Sequence, residues 1–148
     1  VLGGAAGAVP PLVGWAAATG ELSAQALWPF AIVFFWTPPH FWALSQLIAD
    51  DYARTGVPML PVVRGEGSTR RQILAYSALL ACVTVGPVLT GLFGTLYLVS
   101  ALVLGAAFTA LALALVARPS RAAARRLYLS SLAYLALLFV AMALDRAL

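Results

Sequence analysis

Charge is what this chain has least of. Only 9% of its residues are charged and 63% are apolar, whereas a soluble domain carries about a quarter charged residues. Too little polar surface exists to face water on all sides, which excludes an ordinary soluble domain and leaves a polytopic membrane protein or part of one. Lysine is absent, and all nine basic residues are arginine. The net charge of +4 is small and spread along the chain, which argues against nucleic acid as a partner. One cysteine, Cys82, excludes a disulfide or a cysteine-based metal framework, and its apolar surroundings predict a buried structural thiol. One histidine, His40, excludes a histidine cluster. The first residues lack the basic flank and short apolar core of a signal peptide, so the chain reads as one that continues upstream of Val1.

What is present is long apolar sequence. Five stretches are predicted to be membrane spans: 2–19, 26–49, 73–93, 95–117 and 127–144. Each has about 18 to 24 residues, enough at 1.5 Å per residue to cross a ~30 Å hydrocarbon core. They are too long for strands and do not alternate. The fold class is therefore all-α, a single transmembrane helix bundle over 1–148.

The arginines support that path. Arg54, Arg64, Arg70 and Arg71 fall between the second and third spans, and Arg118, Arg121, Arg125 and Arg126 between the fourth and fifth. The other connections hold Glu21 or no charge, and the tail holds Asp145 and Arg146. The positive-inside rule puts both basic loops on the cytoplasmic side, or the matrix side in a mitochondrion, with the C-terminus outside. Arg118 to Arg126 reads as a topology anchor at an anionic leaflet. Gly3, Gly4, Gly7, Gly14, Gly86, Gly91 and Gly94 are expected to let helices approach closely. Pro10-Pro11 and Pro38-Pro39 lie inside spans, where lost backbone bonds are tolerated beside protein or a cavity. They predict either an internal space lined by the first two helices or kinks in a tight bundle.

Chemistry concentrates in the loop 50–72. Asp50 and Asp51 are either a solvated helix end, with Asp51 paired to Arg54 at i,i+3, or carboxylates for Mg²⁺ shared with a phosphate. Arg54, Arg64, Arg70 and Arg71 could pair bidentately with a diphosphate, or serve as positive-inside charge. If the second helix ran unbroken to Asp51, eleven residues at ~100° each would put His40 and Asp51 on one face, roughly 16 Å apart. His40 is then either hydrogen-bonded within the bundle or functional at membrane depth.

Three motifs carry a resemblance: Gly3-Gly4-Ala5-Ala6-Gly7-Ala8-Val9-Pro10-Pro11-Leu12-Val13-Gly14; Trp36-Thr37-Pro38-Pro39-His40-Phe41-Trp42; and Asp50-Asp51-Tyr52 with Gly56-Val57-Pro58-Met59-Leu60-Pro61-Val62-Val63. In this order they resemble the heme O synthases, the protoheme IX farnesyltransferase branch of the UbiA-type intramembrane prenyltransferases. The resemblance implies five spans of a nine-helix fold in a membrane, the bacterial plasma (cell inner) membrane or the mitochondrial inner membrane. It implies farnesyl transfer from farnesyl diphosphate to a vinyl group of heme B, giving heme O, with Mg²⁺ as cofactor and heme B as substrate. Heme A synthase and membrane lipid are the implied partners. Carried over by position, Asp51 and its neighbour Asp50 are the catalytic, metal-holding pair. Arg54 and Arg64 are candidate diphosphate contacts, Tyr52 is a further substrate-binding residue, and His40, also on the substrate-binding side, sits against heme or in helix packing.

Two departures stand out. Leu47-Ile48-Ala49 replaces the aromatic and basic residues that usually precede the acidic pair in that branch. Its first Asp-rich cluster is absent from these residues, so the chain alone is expected to be inactive. A quinone or chlorin acceptor is the nearest alternative, and a transporter fragment the alternative of another class.

Overall fold

Tandem prolines decide where the first helix stops. A proline lacks a backbone N–H and its ring clashes with the turn before it, yet it fits the first turn of a new helix. In the computed structural model, which describes residues 2–49, 54 and 59–148, α1 (Leu2–Gly7) ends at Ala8. The next helix, α2 (Val9–Thr19), starts with proline in its first turn. The stretch expected to be one span is therefore two short helices. Gly20, at φ 80°, closes α2 by donating its N–H to Ala16 O, a left-handed cap that glycine accepts without strain.

A short 3₁₀ turn (Ala24–Ala26) leads into α3 (Leu27–Leu47); then follow α4 (Leu60–Arg64), α5 (Glu66–Leu89), α6 (Thr95–Ala117) and α7 (Arg121–Ala147). No strand occurs among the described residues. α3 continues through Pro38 and Pro39, both buried. The Thr37 hydroxyl, just before them, donates to Val33 O at 2.7 Å.

Helices α5, α6 and α7 are long and apolar enough to cross a membrane. α3 has 21 residues but carries a histidine and tandem prolines, and it is not among those three. Two expected boundaries move: α5 begins at Glu66, so Arg70 and Arg71 are helical, and α7 begins at Arg121, so Arg125 and Arg126 are too. Arg70 pairs with Glu66 at 2.9 Å.

The four long helices form a ring. α3 packs on α5 and α7, and α6 packs on the same two, so each has two neighbours. Inside lie Ile32, Ile73, Leu80, Phe108, Leu127 and Leu138. One buried polar cluster joins three helices: Tyr97 donates its hydroxyl to Thr84 O at 2.8 Å, and Tyr134 donates to Thr84 Oγ1 at 3.3 Å. Burial of these groups is tolerated because each is bonded. Cys82 corrects the sequence expectation: it is exposed on the outer face of α5, not buried.

Three contacts fix the antiparallel order. Trp28, at the start of α3, lies against Gly86 near the end of α5, where a Cβ would collide with its ring. Asp145, near the end of α7, accepts from Gly94 N at 2.6 Å and Tyr97 N at 3.1 Å, at the start of α6. At the opposite end, Arg121 donates to Leu47 O at 2.7 Å. The arginine-bearing connections thus share one end of the bundle, as the alternation of charge requires.

Candidate active site

At that end, α1, α3, α4 and α5 surround a cleft of about 630 Å³. Its wall is built by Gly4, Thr37, Pro38, Phe41, Trp42, Met59, Leu60, Val63, Arg64 and Gln72. Local sequence explains the wall. Gly4 lets α1 close onto α3, since a Cβ there would sit 3.2 Å from the Thr37 methyl. Gly7 and Gly14, expected to do the same, face open space. Trp42 is held by Tyr76 of α5, ring edge to face at 5.2 Å. Phe41 is half exposed, so its ring is available to a ligand. Of the prolines expected to line an internal space, Pro38 lines this open cleft, whereas Pro10, Pro11 and Pro39 are not in its wall.

Arg64 is the charged residue of the wall. It ends α4, and Gly65, at φ 77° and ψ 157°, turns the chain away before α5 begins. A residue with a side chain would be strained at that φ. The guanidinium is thereby set at an exposed rim above apolar walls, where desolvation is small and a phosphate can be gripped by two N–H groups.

The sequence-predicted residues do not all converge there. Asp50, Asp51 and Tyr52 lie outside the described residues. Arg54 is helical and exposed but is not in the cleft wall. His40 turns away from the cleft. Its Nδ1 lies 2.7 Å from Ser131 Oγ of α7, and its ring stacks on Trp36 at 4.3 Å and leans on Tyr128 at 5.0 Å. Trp36 Nε1 donates to Ser131 O at 2.8 Å. This is the packing alternative for His40. The stripe joining His40 to Asp51 is also corrected: α3 ends at Leu47, and Ile48 leaves the helical region at φ −122°, ψ 26°.

Gln72 is a wall residue that the sequence reading missed. The available signal was a lone amide next to Arg70-Arg71 at the mouth of an apolar helix. Among the described residues, no group of three His, Cys, Asp or Glu side chains is placed to hold a metal ion.

The model of the UbiA prenyltransferase family matches residues 1–143. The chain belongs to the UbiA prenyltransferase family. Within this family it is 58% identical to a protoheme IX farnesyltransferase of Thermus thermophilus over 99% of its length, covering 24% of that relative. It is 56% identical to that of a Roseiflexus species, covering 99% of the chain and 27% of the relative. With the protoheme IX farnesyltransferase of Thiobacillus denitrificans it shares 54% identity over 98% of the chain and 49% of the relative. This UbiA chain thus spans from about a quarter to about half the length of the curated relatives it matches. No solved structure matches it at a significant level.

Proposed function

We propose that this chain forms part of an intramembrane enzyme that transfers a farnesyl group from farnesyl diphosphate to a vinyl group of heme B, giving heme O. The observation that carries this reading is 54% identity over 98% of the chain to a relative named for that activity. The apolar, arginine-rimmed cleft is the chemistry such a reaction needs.

Asp50 and Asp51 are hard oxygen donors of the kind Mg²⁺ takes together with phosphate oxygens, so the donor set fits. Bound there, Mg²⁺ would neutralise charge on the diphosphate. Arg64 would add two N–H donors to the same leaving group, stabilising the charge that develops as the C–O bond breaks. The exposed face of Phe41 and the anchored ring of Trp42 offer π-electron density to an allylic cation. The apolar wall of Pro38, Leu60 and Val63 keeps water from that cation until the vinyl carbon has attacked. Water then adds to the resulting carbocation and loses a proton, giving a hydroxyethylfarnesyl side chain. Tyr52 and Arg54 take diphosphate contacts in this reading. The product would pass to a heme A synthase. The bundle would lie in a bacterial plasma membrane with its two arginine-rich connections, and the acidic segment, on the cytoplasmic side.

The test is an assay of the full-length parent protein in membranes, with farnesyl diphosphate, heme B and Mg²⁺. Heme O is the expected product. A wild-type enzyme that prenylates a quinone or chlorin instead of heme B would replace the acceptor, and one with no transferase activity would end the reading.

A further inference from the structure

The last turn of a helix leaves carbonyls without backbone partners and carries a partial negative charge. In α3 that end has no basic residue of its own, and the residue after it is Ile48, not a glycine. The missing cation comes from 74 positions away: Arg121 Nη2 donates to Leu47 O at 2.7 Å. Arg121 is itself fixed, as the first residue of α7. Ser120 caps that helix, its Oγ accepting from Ala123 N at 3.1 Å. A guanidinium on a capped helix end therefore bonds the carbonyl that closes α3, three residues before Asp50.

We infer that Arg121 is a positioning residue for the end of α3, because its contact with Leu47 O fixes the point at which the chain leaves that helix towards Asp50 and Asp51. This rests on the proposed function. Among the described residues Arg121 is not part of the cleft wall, and it acts through the backbone of α3. Arg125, one turn further along α7 and equally exposed, supplies similar charge to the same end of the bundle without a hydrogen bond to α3. It separates a positioning effect from a charge effect. A lysine at position 121 can offer one N–H to the same carbonyl and should restore most of the effect.

Two measurements on the full-length protein in lipid nanodiscs test this. By hydrogen–deuterium exchange, Arg121→Ala should quicken exchange of the Ile48 and Ala49 amides about tenfold while leaving α5 and α6 unchanged. Arg121→Lys and Arg125→Ala should match the wild type. In the transfer assay, Arg121→Ala should raise KM for farnesyl diphosphate about fivefold at unchanged thermal stability, and Arg121→Lys should fall within about twofold of wild type. Unchanged exchange at Ile48 and Ala49, or equal effects of Arg121→Ala and Arg125→Ala, overturns the inference whatever the activity. Absence of transfer by the wild type, with the exchange pattern as expected, overturns the proposed function and leaves Arg121 as the residue that holds this exit.

Discussion

His40 and Ser131 meet in the interior of the bundle, imidazole Nδ1 2.7 Å from hydroxyl Oγ, joining α3 to α7. The ring is also stacked on Trp36, whose indole bonds to Ser131 O. One serine thus receives both polar side chains of an otherwise apolar helix face. This arrangement gives the histidine a packing role, and the Nδ1 contact joins α3 to α7.

That assignment is testable. His40→Ala should destabilise the protein by about 2–3 kcal/mol, through a lost buried hydrogen bond and a cavity beside Trp36. Turnover per folded molecule should stay within about threefold of wild type. Thermal melts in detergent combined with the transfer assay would decide. A variant that melts normally but has lost turnover would put His40 at the substrate instead.

At the other end of the bundle, Asp145 caps α6 from a different helix. The backbone N–H groups of Gly94 and Tyr97 both point at its carboxylate, and Gly94 has no side chain with which to do this itself. Asp145→Ala should lower Tm by several degrees and Asp145→Asn by less, since an amide oxygen still accepts one of these bonds. Neither substitution should change KM for the diphosphate, because the cleft lies at the opposite end.

Gly86 is a place where only hydrogen fits. A methyl group there would overlap the Trp28 ring. Gly86→Ala should destabilise by about 1–3 kcal/mol through overpacking between α3 and α5. Trp28→Leu in the same background should recover part of the loss, as a double-mutant cycle of melting temperatures would show.

The cleft makes the sharpest distinction among the arginines. Arg64 is in its wall and Arg54 is not. Arg64→Ala should cut kcat/KM for farnesyl diphosphate by at least about tenfold, the scale of a lost charge-assisted bond to phosphate. Arg54→Ala should have a smaller effect. Chelating divalent metal, or Asp51→Ala, should abolish measurable transfer, and steady-state kinetics on membranes would rank all four.

The helical class was legible from composition alone. In lipid a backbone is satisfied within helices or a closed barrel, and apolar runs this long and without alternation leave the helix. The alternation of arginines between connections also foretold which ends would lie together, and Arg121 on Leu47 O bears this out. The break after α1 was harder to see. Apolar periodicity does not register a helix end, and Pro10-Pro11 can be read as a kink or as a new start.

The candidate site was legible in part. The motif around Pro38 and His40 was found, but helical geometry sends Thr37, Pro38 and Phe41 to the cleft and His40 to α7. Residues adjacent in sequence point ~100° apart on a helix, and only packing decides which side faces a cavity. Cys82 shows the same limit: an apolar run places it in a span, not on a particular face.

Sequence by itself determined the class, the solvent the chain was built for and the sites where charge could gather, since hydrophobicity and charge are properties of residues taken singly. Tertiary structure decided that Arg64 rims the cleft, that His40 bonds to Ser131 and that Arg121 ends α3. Each of these depends on residues far apart in the chain meeting at hydrogen-bond or van der Waals distance, and local pattern carries no record of that.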